Sequence, residues 1–160
     1  MFIECDWRKT SYSYIKAALL SVYPKRTVQE RLSERPIDAV VAGVTAAYLH
    51  GMGAMHEGPY TFVVGKRRQT TMHVLVFHIR SIEENDVTVA KTIPVTTMER
   101  MVADPVRERC DPDHVIQAAI DAVGKGARFS RICECLNMLE LRYQEVVSIL
   151  EPSIVTWRVL

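Results

Sequence analysis

No apolar run in this chain reaches the about 18 residues that a membrane-spanning helix requires. The first residues, MFIECDWRKTSYSY, place acids before any base and contain no apolar stretch of signal-peptide type, so they are not expected to be a secretory leader. Four cysteines are present, Cys5, Cys110, Cys133 and Cys135, without the spacing of a disulfide framework; this suits a reducing cytosol. Charge of one sign is also scarce. A formal net charge of +1 lacks the broad basic excess of a dedicated nucleic-acid-binding domain. Catalytic signatures are missing as well: no Gly-x-Ser-x-Gly elbow, no phosphate loop, no dinucleotide fingerprint. A metal-dependent nuclease would need an acid followed by Glu-x-Lys to hold its ion, and Glu-x-Lys occurs nowhere. The expectation is a protein that is not an enzyme and uses no cofactor and no metal.

What is present is ordinary globular material. At 160 residues and 48% hydrophobic, the chain is long enough to bury its own core, and length favours one domain. Three parts are expected: a helical extension over residues 1–40, an α+β core over 41–123 and a helical tail over 124–160. Apolar spacing at Ile15, Leu19, Leu20 and Val22, stopped by Pro24, predicts a helix from Tyr12 to Tyr23. Thr27 to Leu32 reads as a short helical turn, and Ala39 to Val44 as an apolar run too short to assign. Thr45 is positioned to cap the next helix, with Val44 and Leu49 as a hydrophobic staple and Gly51 as its left-handed stop. Three glycines and a proline make Gly51 to Pro59 a loop.

Strands are expected at Tyr60 to Val64 and Met72 to Ile79. The second carries apolar residues on both faces, Val74 and Val76 against Leu75, Phe77 and Ile79, which predicts an interior strand. Shorter strands follow around Val87 to Val89 and Ile93 to Val95. Thr96 and Glu99 form a capping box for the next helix, whose inward stripe is Met98, Met101 and Val102. Pro105 kinks or ends it. Asp111-Pro112 opens another helix with Val115, Ile116, Ala119, Ile120 and Val123 at helical spacing, closed by Gly124. Ser130 to Leu141 and Tyr143 to Leu150 complete the set. The fold class is α+β, a small mixed sheet of short strands flanked by about six helices.

Candidate sites are few. His73 and His78, five apart on one strand, point to opposite faces and share no metal. His50 and His56 straddle the glycine-rich loop without ligand spacing. Cys133 and Cys135 diverge on a helix, and the Ile132/Leu136/Leu139 stripe makes Cys133 the core residue. The acids Glu83, Glu84 and Asp86 have no metal-binding companions. Lys66, Arg67 and Arg68 form a cluster between two strands. Cations on such a turn can meet successive phosphates without reading bases, while the plain alternative is a solvated tip. Arg80, Arg107 and Arg109 would extend a basic surface. Arg100 and Asp104, at i and i+4, permit a helix-surface ion pair worth a few tenths of a kcal/mol.

Two segments carry a family resemblance. One is the small-residue helix VAGVTAAYLHGMG, ending in Leu49-His50-Gly51; the other is IPVTTMERMVAD, with Pro94, Thr96, Thr97, Glu99, Arg100 and Asp104. Their order, with the basic strand-rich stretch between them, resembles the C-terminal domain of AbiEi-family antitoxins of type IV toxin–antitoxin pairs. The likeness continues more weakly through DPDHVIQAAIDAVGKG and covers about two-thirds of the chain. It implies a bacterial cytoplasmic antitoxin that represses its own operon and counters a nucleotidyltransferase-like toxin, with operator DNA and that toxin as partners and no membrane. The diagnostic residues have sufficient structural roles as caps and packing, and Lys66, Arg67, Arg68 and Arg80 are the implied phosphate contacts.

One departure limits the carry-over. Such antitoxins have an N-terminal winged helix-turn-helix, whereas residues before Val41 supply about one and a half helices and no wing. The expectation is a fragment without its reader or a naturally reduced member, with operator contact made through the missing domain. The competing reading from another class is a protein-interaction or dimerisation module that never touches DNA; a metal-dependent nuclease is a third.

Overall fold

The shortest strand among the described residues is the centre of the sheet. In a computed structural model describing residues 7–52 and 59–138, Ala39–Val41 forms β1, three residues fully buried. Around it lie β2 (Tyr60–Val64), β3 (Leu75–Ile79), β4 (Val87–Ala90) and β5 (Ile93–Thr96), in the order β3-β2-β1-β5-β4. β1 runs antiparallel to β2 and parallel to β5, β2 and β3 are parallel, and β4 and β5 antiparallel. The sheet is mixed and the class is α+β, as the sequence predicts.

Among the described residues six α-helices accompany it: α1 (Trp7–Val22), α2 (Val28–Ser33), α3 (Gly43–His50), α4 (Met98–Arg107), α5 (Pro112–Gly124) and α6 (Phe129–Met138). Paired residues share a face, so Ala39, Val41, Phe62, Val64, Leu75 and Phe77 line one side. There α1 packs with Ile15 and Leu19, both fully buried. α3 and α4 cover the other side, with α5 and α6 packed on α4. α1 therefore supplies one layer of the core, and its turn begins at Trp7, five residues before the expected Tyr12. The proposed helix Tyr143 to Leu150, the end of the one starting at Ser130, and His56 lie outside the described residues.

The strand expected in the interior is an edge. β3 spans only Leu75–Ile79, and among the described residues its outer side has no partner strand. Two-faced apolar character reports cover above and below, here from the α1 side on Leu75 and Phe77 and from the α3/α4 side on Val76. Lateral neighbours leave no such mark in a sequence. Met72, Val74 and Ile79 are about half exposed. His73 sits in the turn before β3 rather than on the strand, so its separation from His78 has a different cause from the one expected.

Local chemistry corrects three further assignments. α3 starts at Gly43 with Ala42 as its N-cap and no side-chain cap; Thr45, fully buried, instead accepts a hydrogen bond from the Thr61 amide at 2.9 Å and ties the helix to β2. The Val44/Leu49 staple goes with that cap. α4 is capped by Thr97, whose hydroxyl accepts from the Arg100 amide at 3.4 Å, while Thr96 is buried in β5 and Glu99 accepts from the Arg128 amide at 3.1 Å. The reciprocal capping box occurs at Thr27 and Glu30 instead. On α6, Cys135 is fully buried and Cys133 half-buried, the reverse of the expectation. Pro105 does not end α4, because the helix continues to Arg107. The stop at Gly51 (φ 65°, ψ 44°), the Asp111 cap on the Asp113 amide and the buried Met101 and Val102 are found as expected.

Gly43 is the glycine the fold requires. Its φ is +56°, and an added Cβ would stand 3.0 Å from Oε2 of Glu108. Gly43→Ala should therefore lower stability by about 1–2 kcal/mol, mostly from the left-handed backbone because a glutamate tip can move. Chemical denaturation checks this, and a loss below about 0.3 kcal/mol would remove the requirement.

Candidate functional site

The basic cluster sits on a crossover. Because β2 and β3 are parallel, residues 65–74 cannot be a hairpin tip; they carry the chain back along the sheet. Lys66, Arg67 and Arg68 are all exposed. Arg68 stacks its guanidinium 3.9 Å from the centroid of the Tyr23 ring, just past the end of α1. That contact fastens the connection to the helix end; Lys25, exposed, follows two residues after Tyr23. Below, fully buried Arg31 donates to the carbonyls of Leu19 at 2.8 Å and Tyr23 at 2.9 Å, occupying acceptors that α1 leaves open. Burial lowers the Arg31 pKa against the pull of Asp38, with Arg26 and Arg68 adding to the lowering. The acids of this region are partly taken: Arg26 pairs with Glu34 and Asp38. Among the described residues Lys25, Lys66 and Arg67 have no acidic partner. Tyr23 escapes a sequence reading because its partner, Arg68, lies more than forty residues away.

Arg80 does not join that surface. Its side chain is 16% exposed, its Nη1 is 3.5 Å from Asp104 and its Nη2 approaches His78 Nδ1 at 3.4 Å. It belongs to a buried charge network. Arg100, 4% exposed, reaches Asp104 through Nε and Asp86 through Nη1, both at 3.3 Å. Arg131 of α6 donates to Asp86 at 2.8 Å. Asp86 and Asp104 are fully buried, so the pair expected on a helix surface is an interior one. Burial raises the Asp104 carboxyl pKa against the pull of Arg100 and Arg80. The network joins α4, α6 and the 3-10 turn Glu84–Asp86 ahead of β4.

The two segments that carry the resemblance meet directly. His50, at the end of α3, donates from Nε2 to the Thr96 carbonyl at 2.7 Å, and Lys125 caps the same helix end through the His50 carbonyl at 2.8 Å. Leu49 is buried, and Pro94 and Thr96 are buried in β5. Burial lowers the His50 pKa from about 6.5, outweighing its bond to Thr96. An imidazole with a lowered folded pKa binds fewer protons than its unfolded counterpart, so stability falls as pH drops from about 6.5 toward that lower value. His50→Gln, which keeps a donor toward Thr96, should flatten the stability profile in that window. A slope unchanged by the substitution would assign it elsewhere.

A concave feature lies between β3 and the end of α4. It encloses about 500 Å³, with Val44, Pro59 and Val76 among its apolar lining. His78, Arg80, Arg107 and Glu108 converge on it, and His78 Nε2 is 3.0 Å from Glu108 Oε1. Cys110 also lines it; burial and then Glu108 push its thiol pKa up, which disfavours the thiolate.

Among the described residues no three His, Cys, Asp or Glu side chains are placed to hold a metal ion, and no helix is long and apolar enough to cross a membrane. No family model matches the chain, and no curated protein matches its sequence.

Proposed function

We propose that this chain is the antitoxin and transcriptional-regulator domain of a bacterial type IV toxin–antitoxin pair, acting in the cytoplasm. It contributes to repression of its own operon and counters a nucleotidyltransferase-like toxin. The observation that carries the reading is the His50–Thr96 hydrogen bond: the two sequence segments on which the AbiEi resemblance rests are one packed unit. The role at DNA is backbone contact. Lys66 and Arg67, with Arg68 held on Tyr23, offer cations to successive phosphates, while base reading falls to a winged helix-turn-helix of the kind the resemblance implies. Leu49, Gly51, Pro94, Thr97 and Glu99 serve the fold by packing and capping.

A second reading, a module that docks a protein and never touches DNA, draws on the β3 edge. Its open side and the exposed Met72, Val74 and Ile79 suit strand addition by a partner. One pair of assays separates the two. A reporter driven by the chain's own upstream region measures repression, and growth during co-expression with an adjacently encoded nucleotidyltransferase-like toxin measures neutralisation. Antitoxin function predicts both activities, with repression weakened when Lys66, Arg67 and Arg68 become Ala. Growth rescue without repression selects the interaction module, and failure of both removes the proposal.

A further inference from the structure

We propose that β3 pairs antiparallel with β3 of a second copy of this chain, joining the two five-stranded sheets across a twofold axis at Phe77. The pairing uses no side chain of Lys66, Arg67 or Arg68, so it stands or falls apart from DNA contact.

The backbone carries the case. The Val74 carbonyl accepts from the Tyr60 amide at 2.7 Å, and the Arg80 amide donates to the Val64 carbonyl at 3.2 Å. Both bonds run to β2, and along a strand the residues that face a given neighbour alternate. Val76 and His78 therefore face β2 with them, while Leu75, Phe77 and Ile79 turn their peptide groups outward. The Leu75 amide is taken by the Met72 carbonyl at 3.1 Å, which closes the turn before the strand. The outer side is left with three carbonyls and the amides of Phe77 and Ile79, and no partner strand among the described residues.

Those groups complement themselves. In an antiparallel pair centred on Phe77, the two Phe77 residues exchange both backbone bonds, and each Ile79 amide meets the Leu75 carbonyl of the other copy. Every outward amide that remained is then bonded. Side chains agree with this register. Ile79, 55% exposed, comes opposite Leu75 on one face, and Val76 comes opposite His78 on the other. From Gln69 to Ile79 the chain has no Lys, Arg, Asp or Glu and no Pro or Gly, so it lacks the devices that keep an edge strand single. Two copies of such a strand meet without like-charge repulsion. The opposite edge is poorer: β4 turns Val87 and Val89 outward, spends the Val87 amide on the Glu84 carbonyl, and is flanked by Glu84 and Lys91. Pairing at β3 alone closes at two copies.

The test is analytical ultracentrifugation of the full chain from about 5 to 500 μM, with amide hydrogen exchange read at both ends of that range. A short edge belongs with the smallest interfaces, so a reversible dimer with micromolar dissociation is expected. The Phe77 and Ile79 amides should exchange several-fold more slowly at high concentration, while the Arg80 amide, bonded to β2, should change far less. Ile79→Pro removes an outward amide and no bond to β2, and should weaken the dimer at least about tenfold. Ile79→Val keeps the amide and an apolar side chain, and should stay within about twofold. A chain still monomeric at about 500 μM overturns the proposal, as does a dimer in which the two amides exchange as fast as in the monomer. Protection of both amides at every concentration would give the edge to another segment of the same chain and overturn it too.

Discussion

Replacing Arg100 with alanine is expected to cost about 3–5 kcal/mol of folding stability, the range for removing one partner of a buried ion pair. Two carboxylates lose their common cation. Asp86 keeps Arg131 at 2.8 Å, but Asp104 is left with Arg80 at 3.5 Å and a second oxygen that already lacks a hydrogen-bond partner. The deficit should therefore be concentrated on Asp104. Removing its charge as well should recover part of the loss, so Arg100→Ala with Asp104→Leu is expected to fall short of the two single costs added together, by about 0.5–3 kcal/mol. pH offers a second check. A carboxyl whose folded pKa lies above its unfolded value favours folding more as pH falls between the two. Burial already places Asp104 in that class, and loss of Arg100 moves it further the same way. The deficit of Arg100→Ala should shrink on acidification. Urea denaturation at neutral and mildly acid pH measures all of this, and a cost below about 1 kcal/mol would mean the pair behaves as a surface one.

Much of the fold was readable where a pattern is long and repeats. α1, α5 and the stripe of α4 announce themselves through helical spacing, and Gly51 marks the end of α3 and the Asp111-Pro112 pair the start of α5 by backbone chemistry that only a few residues supply. β1 was not assignable because three residues fit a strand or a helix turn equally well; its place came from β2 and β5 on either side. The edge position of β3 was invisible for a different reason. Hydrophobic alternation records which faces are covered, and strand neighbours are chosen by the whole topology. Adjacent threonines exchanged roles at α4 because a cap is set by where the chain leaves β5, a one-residue matter.

The site divides the same way. Lys66, Arg67 and Arg68 are an exposed connection, as their charge density predicts. Arg80, equally basic, turned inward because β3 ends opposite α4, where Asp104 waits. Arg100 and Asp104 looked like a surface pair since their spacing is the same on a buried helix face as on a solvated one. Asp86 and Arg131, which bury them, are 14 and 31 residues from Arg100 and share no motif with it.

Contact between DNA phosphates and the side-chain cations of the β2–β3 connection, if the proposed function holds, has the largest expected effect on affinity. Each phosphate contact contributes about 0.9 to the slope of log affinity against log salt, so three contacts give about 2.7 and a loss near 40-fold between 50 and 200 mM salt. Arg68 shares its guanidinium with the Tyr23 ring, which makes Lys66 and Arg67 the stronger pair. Fluorescence anisotropy with a short duplex, across that salt range, is the direct measurement. The chain should bind weakly, with little sequence preference, and changing Lys66, Arg67 and Arg68 together to Ala should flatten the slope by two to about 2.7 while stability moves by no more than about 0.5 kcal/mol. A slope identical in chain and variant would return the cluster to a solvated connection, and tight salt-resistant binding to one sequence would place the reading element elsewhere in the molecule.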